Sequence, residues 1–441
     1  MEIYANLFAA FFGILIIIIA LCNYALGFSI WIALVPILDY IQPITGWEFF
    51  PPNRIITCLL FLVTIIKYRD VWAKIPFINF FIVFFMYLLS YFLSSIVSEI
   101  PLRSMARSLT YAIPIMYAFM TICCVVESKD GPKIILKGFI FGFFLIIVYG
   151  IIEYLGQRNY LLDAGLIQAD PFGSYLKEIR VGGSGRISSF IGQPVHTALY
   201  LTLTIPIIYF YSKVYAQSTS IKTILFLIML GGIFCLFFTG SRSSYVGFIL
   251  FLIIYNLLYL KHYQKALGKS LSLLVILSII IYFLPEDTKE FITESLSVED
   301  PSAKFASNVV GRMDLTIALW DIFKDNFLLG LGPGYIQTMG KNLVEFARVS
   351  SMDNQYLSLL AEIGIIGFIS FILFIVISYR LIFTFIKDKE TLIGEWGKIL
   401  FSIFTIFLVE MTFLSVLNLT WMNIIMVYFG IGIGLVMVKG D

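Results

Sequence analysis

An apolar run of about 20 residues is what a helix needs to cross a bilayer core about 30 Å thick. Such runs recur along the whole of this chain. They fall near residues 5–22, 26–42, 55–66, 76–97, 104–126, 134–155, 189–211, 221–239, 243–260, 270–284, 356–379, 397–414 and 419–438. The count is 12 or 13 helices, depending on whether Asn23 divides the first 42 residues into two. Backbone at membrane depth must satisfy its N–H and C=O groups internally, which restricts spanning segments to helices or a closed barrel. Runs of this length select helices. The expected fold class is therefore all-α, a polytopic transmembrane helical bundle with a large helical extracytoplasmic loop.

Composition agrees. Of 441 residues, 60% are hydrophobic and 13% charged, about half the charged share of an ordinary globular domain. A net charge of +2 gives no reason to expect nucleic acid as a partner. The opening stretch has no basic leader and no small-residue cleavage site, so it reads as a retained helix. All five cysteines lie inside apolar runs, and His196 and His262 are 66 residues apart. Neither a disulfide framework nor a metal site is expected, and no cofactor.

Orientation follows from lysine and arginine in short loops, which stay cytoplasmic. The connections at 67–74, 129–137, 213–222, 261–269 and 380–398, with the tail, hold 16 of the 30 basic residues and few of the acids. The alternate connections, 43–53, 98–103, 156–188, 240–242 and 285–355, are then expected to face outward. With 13 helices the N-terminus lies outside, and with 12 it lies inside. Four regions are expected: residues 1–188 (N-terminal helices with outer loop 156–188), 189–284 (central helices), 285–355 (extracytoplasmic loop) and 356–441 (C-terminal helices). Within the long loop, residues 312–325 place Leu315, Leu319, Ile322 and Phe323 on one helical face. That pattern predicts an amphipathic helix at the membrane surface or over a cavity, ended by Gly330, Gly332, Pro333 and Gly334. The chain has no internal repeat.

In such a chain, polar residues at membrane depth or in ordered outer loops carry the information. Arg242, in Thr239-Gly240-Ser241-Arg242-Ser243-Ser244, is wedged between two apolar runs. It calls for an anionic partner such as a carboxylate or phosphate, or else snorkels to lipid headgroups. Arg186 follows the glycine-rich Gly182–Gly185 at the head of a helix, where backbone N–H groups can face an anion. A plain connector is the competing reading, and Arg180 belongs to the same loop. His196 is either a packing residue or a catalytic one. Arg312 opposes the dipole at the start of its helix, which suits a bound anion or a solvated side chain. Asp353 and Asn354 open the helix that re-enters the membrane, as N-caps or with Asp353 as a general base. Behind them Gln355, Ser358 and Glu362 share a face, and Glu362 must pair or be protonated. Gly364 and Gly367 read as helix-packing sites. Three arginines and one carboxylate suit a lipid-linked phosphate.

Four segments together resemble the O-antigen ligases and the O-antigen or exopolysaccharide polymerases of bacterial envelopes. They are Arg186–His196 (RISSFIGQPVH), Thr239–Gly247 (TGSRSSYVG), Gly311–Tyr335 (GRMDLTIALWDIFKDNFLLGLGPGY) and Asp353–Gly367 (DNQYLSLLAEIGIIG). Phe327 stands where the family usually has Pro, and Pro194-Val195-His196 departs from its Pro-Asn. The resemblance implies a metal-independent glycosyltransferase of the bacterial cytoplasmic membrane, with its site facing outward. It implies a donor and an acceptor glycan on polyprenyl diphosphate, the lipid bilayer as environment, and a chain-length regulator as a further partner. By the resemblance, Arg242 and Asp353 would be catalytic. Arg186, Arg312, Arg180, His196, Asn354, Tyr356 and Glu362 would line the substrate site. The ligase branch has His where this chain has Asp353, which favours a polymerase. The alternatives are a ligase moving the glycan to another acceptor, and a flippase for the same lipid. Transporters often carry internal repeats, and this chain has none.

Overall fold

The computed structural model describes residues 2–39, 52–72, 74–128, 130–166, 186–258, 309–336, 354–388, 391–413 and 419–440. Every regular element among them is helical: α1 (Glu2–Cys22), α2 (Tyr24–Leu38), α3 (Pro52–Lys67), α4 (Arg69–Trp72), α5 (Ile78–Val97), α6 (Pro101–Thr110), α7 (Ile113–Glu127), α8 (Gly131–Gly156), α9 (Tyr160–Asp163), α10 (Pro194–Val214), α11 (Thr219–Phe238), α12 (Arg242–Leu257), α13 (Val309–Asp325), α14 (Gln355–Lys387), α15 (Leu392–Glu410) and α16 (Leu419–Gly440), with a 3-10 turn at Ser189–Ile191. Among the described residues eight helices are long and apolar enough to cross a membrane, counting α6 and α7 as one, and α1, α2 and α12 contribute shorter apolar stretches. The chain is an all-α polytopic bundle.

Local chemistry sets the boundaries. Asn23 does divide the first run: its side chain accepts the Leu26 N–H at 3.1 Å and caps α2. The run at 104–126 becomes two helices, because Pro114 lacks an N–H to continue the ladder from α6 into α7. The run at 189–211 starts as an α-helix only at Pro194. Gly192 takes a left-handed φ of 73°, and proline suits a first helical position. The run at 270–284 lies outside the described residues.

The chain forms two compact units, divided within α8 and within α15. The first comprises residues 1–142, 310–400 and 411–441. In it α16 packs along α7, α14 along α5, and α1 against α2 and α3. Small residues allow these approaches: a side chain at Gly430 would meet Thr121 and the Ala118 carbonyl, and one at Gly27 would meet the Ala20 backbone. Buried polar groups pair across helices, as in Trp31 Nε1 donating to Tyr117 Oη at 2.8 Å. The second unit comprises residues 143–309 and 401–410. There α10 packs on α11 and α12, and Gly231 and Gly232 of α11 make room for Ile147 and Phe143 of α8.

The longest helix, α14, is not continuous. Gly364 has φ 62° and ψ −170°, so the helical bonds from residues 365 and 366 back to 361 and 362 cannot form. The segment after α13 supplies the missing partners. Leu331 N–H donates to the Ala361 carbonyl at 3.0 Å and Gly332 N–H to the Glu362 carbonyl at 2.9 Å. In return, Ile365 N–H donates to the Phe327 carbonyl at 2.9 Å and Ile366 N–H to the Leu328 carbonyl at 3.4 Å. Gly364, expected only as a packing residue, is thus where a spanning helix opens. The reason is steric and conformational: its φ is left-handed, and a Cβ there would collide with the Leu328 carbonyl.

Candidate functional site

In the second unit the connection between α11 and α12 is three residues, Thr239 to Ser241, turned by Gly240 at φ 63°. Arg242 is therefore the first residue of α12 and is half-buried. A cation there opposes the helix dipole, a cost that an anion on the same turn offsets. Arg186 reaches this turn from another segment of the chain. Its Nε donates to the Thr239 carbonyl at 2.5 Å, and the next amide, Ile187 N–H, donates to the Phe238 carbonyl at 2.9 Å. Tyr245, one turn into α12, feels the Arg186 charge and donates its phenol to the Phe237 carbonyl. Two arginines named from sequence thus meet on one turn.

The glycines at 182–185 and Arg180 lie outside the described residues. The first amides beyond that loop are already occupied. Glu153 of α8 accepts from Ser188 N at 3.0 Å, Ser188 Oγ at 2.7 Å and Ser189 N at 2.6 Å. Asn159 then donates to Ser188 Oγ at 3.0 Å and to the Ser189 carbonyl at 2.9 Å. This network anchors the chain behind Arg186. Sequence reasoning misses Glu153, although an acid inside the apolar run 134–155 meets the criterion that flags Glu362. His196, the third residue of α10, is half-buried.

In the first unit Asn354, Tyr356 and Glu362 belong to α14 and its cap. Asn354 adopts φ 76° and accepts the Leu357 N–H at 3.3 Å, so it is an N-cap. A second orphan donor of the helix end, Gln355 N–H, binds the Met411 carbonyl at 2.9 Å. Tyr356 is half-buried, with its ring 6.4 Å from that of Phe371. Glu362 is buried, and its Oε1 accepts the Gly334 N–H at 3.0 Å. Ser94 Oγ donates to its carbonyl at 2.5 Å. The Arg107 guanidinium acts on the Glu362 carboxylate and packs against Gly334, where a Cβ would lie 2.6 Å from Arg107 Cδ. Arg107 also binds Tyr111, and both feel the charge of Arg54. Sequence reasoning misses both arginines; Arg107 lies inside the run 104–126, whose hydropathy absorbs a single charge.

The loop from Phe327 to Tyr335 is therefore held on both its backbone and its flank. Tyr335 Oη donates to Glu99 at 3.1 Å. Partial burial, and then the Glu99 hydrogen bond and charge, raise the phenol above its ordinary value, so it remains a donor. α13, just before the loop, buries Leu319 and Phe323 and packs Leu319 and Ile322 with Ile336, Leu357 and Ala361. The amphipathic helix expected over 312–325 exists, and Leu319, Ile322 and Phe323 of its apolar face are covered by protein. Arg312 stands in its first turn; the Arg312 side chain and the whole of Asp353 lie outside the described residues. Among the described residues no three His, Cys, Asp or Glu side chains converge as a metal-holding group.

The spanning helices define a polytopic membrane protein; one unit brings Arg186 to the turn before Arg242, and the other docks a loop into a broken helix. Residues 224–372, which include α12, α13, the docked loop and the break in α14, match the family model Wzy_C, described as O-antigen ligase. That stretch is about a third of the chain, and over it the chain is similar to the O-antigen ligase family. No curated protein matches the chain. The similarity supports a multi-pass membrane glycan transferase of the O-antigen ligase or polymerase type.

Proposed function

We propose that this protein is a glycan polymerase. It would join oligosaccharide repeat units carried on polyprenyl diphosphate at the outer face of the cytoplasmic membrane. The observation that supports the reading most is the bond from Arg186 to the Thr239 carbonyl, because it puts two arginines from distant segments on one turn. Guanidinium groups bind diphosphate oxygens bidentately and stabilise the charge that grows on a departing diphosphate. Arg186, Arg242 and Arg312 take that role, with Arg180, six residues before Arg186 in the sequence, as a further candidate. His196, Tyr356 and Asn354 are the remaining candidates for the glycan-bearing end. Glu362 acts by holding the loop that follows α13.

In the reaction an acceptor sugar hydroxyl attacks the anomeric carbon of the donor. The new C–O bond forms as the bond to the diphosphate breaks, and the lipid diphosphate leaves with both electrons. Asp353 takes the hydroxyl proton. The description of the matching family favours a second reading, transfer of the finished glycan to a different acceptor.

Purified protein given a synthetic polyprenyl-diphosphate repeat unit separates the two. A ladder of lengthened lipid-linked glycans supports polymerisation, and product only with a second acceptor type supports a ligase. Lipid movement across vesicles with no new glycosidic bond overturns both. Asp353→Asn is expected to lower turnover about 100-fold or more, within the range of general-base contributions; near-normal turnover would remove Asp353 as the base.

A further inference from the structure

Glu410, the last residue of α15, is fully enclosed at 0% exposure, and neither of its carboxyl oxygens makes a hydrogen bond of good geometry among the described residues. A buried polar group so placed is costly, and in a native structure it calls for an explanation. An ionisable residue at such a position marks function more often than packing. What surrounds it is specific. The hydroxyls of Ser243 and Ser244 face the carboxyl, and both belong to the first turn of α12, directly after Arg242. Ser241 Oγ in turn lies 3.2 Å from Ser244 Oγ and 3.4 Å from Ser243 Oγ. A hydroxyl chain thus runs from the turn that holds both arginines to Glu410.

A second observation comes from the other side of α12. A Cβ on Gly247 would lie 2.9 Å from Glu410 Oε1, 3.1 Å from Ile406 Cγ2 and 3.3 Å from Thr202 Cγ2. Gly247 has ordinary helical backbone within α12, so its lack of a side chain serves space and not conformation. The space it leaves is filled by the Glu410 carboxyl. Three residues of the segment Thr239–Gly247, namely Ser243, Ser244 and Gly247, are therefore explained by one acid about 160 positions downstream, outside the stretch that matches the family model. The dipole at the start of α12 favours a carboxyl at that end.

We propose that Glu410 is a positioning residue for Arg242: through the Ser243 and Ser244 hydroxyls it fixes the first turn of α12, and Gly247 is glycine so that its carboxyl can sit there. Glu410 does not touch substrate, since it is sealed from solvent. The inference rests on the proposed role of Arg242 only for its effect on turnover; its effect on the turn is independent of that reading.

The experiment is amide hydrogen exchange on full-length protein in detergent, with transfer kinetics measured alongside. Glu410→Gln keeps the side-chain size and turns one acceptor into a donor. Exchange in segment 239–247 is expected to rise about tenfold as the first turn of α12 loosens, while other helices and the melting temperature stay unchanged. Gly247→Ala is expected to give the same local effect, and the double variant no more than either alone. In kinetics, kcat falls with KM little changed. Unchanged exchange in 239–247 for both single variants overturns the proposal, as does an additive double variant. If Glu410→Gln does not fold, Ser243→Ala/Ser244→Ala replaces it, and wild-type exchange there overturns the proposal equally. If the wild-type protein transfers no glycan, the proposed function fails, and the exchange data still decide the role of Glu410.

Discussion

At the scale of single residues, the acids and arginines of this chain divide by what holds them. Glu153 takes three hydrogen bonds from two consecutive serines, and in doing so fixes the segment from which Arg186 reaches the α11–α12 turn. Glu153→Ala would leave those donors buried without an acceptor. It is expected to cost roughly 3 kcal/mol, read as a lower melting temperature in detergent, with Glu153→Gln costing less. Arg242 belongs to the other class, held at a helix start that disfavours its charge. Arg242→Ala is expected to lower transfer about 100-fold or more with no change in melting temperature. Arg242→Lys should recover only part of it, because an ammonium lacks the bidentate fork. Equal activity of the Lys variant and wild type would mean that only charge matters. Much of this is legible from sequence, since the arginines are anomalies against an apolar background. Their carboxylate neighbours are not. Glu153 and Glu410 lie inside runs whose hydropathy absorbs them, and only the fold shows what each one faces.

At the scale of elements, most helices can be read to within a few residues, because length and hydropathy fix a span and caps such as Asn23 fix its end. The opening in α14 cannot. Its sequence is apolar without a gap from Ile363 to Ile369, and glycine in a membrane helix usually signals packing. What decides the matter is a partner segment more than 30 residues earlier, whose backbone competes for the carbonyls of Ala361 and Glu362. Gly364→Ala would need a left-handed φ and would drive a Cβ into a carbonyl oxygen. It is expected to destabilise the protein by about 2–4 kcal/mol, measured by thermal unfolding. The apolar face of α13, through Leu319 and Phe323, is readable from spacing alone. What it packs against is not, since Ile336, Leu357 and Ala361 come from a later loop and a later helix.

At the scale of the whole molecule, the alternation of basic and non-basic connections predicts a sidedness that cysteine labelling can check. Arg103→Cys, in the 98–103 connection, is expected to react with a membrane-impermeant maleimide on intact cells, and Lys222→Cys only after the membrane is opened. Labelling of both from outside would reject the assignment of loops from basic residues. The charge distribution and the run lengths carry this prediction without any tertiary information. The division into two compact units is different in kind: besides the start of α13 and the end of α15, it falls inside α8 and α15, where the sequence has no linker composition to announce it.

The docked loop bears on how the chain can be made. A helix opened inside a bilayer exposes bare carbonyls and amides, each costly to leave in hydrocarbon. Here their partners, Phe327 to Gly332, precede Gly364 in the chain and so are synthesised first. When the opened stretch of α14 enters the membrane, the segment that covers it already exists. A permuted chain that placed this loop after α14 would keep every contact of the finished protein, yet oblige the opened helix to wait unpaired during insertion.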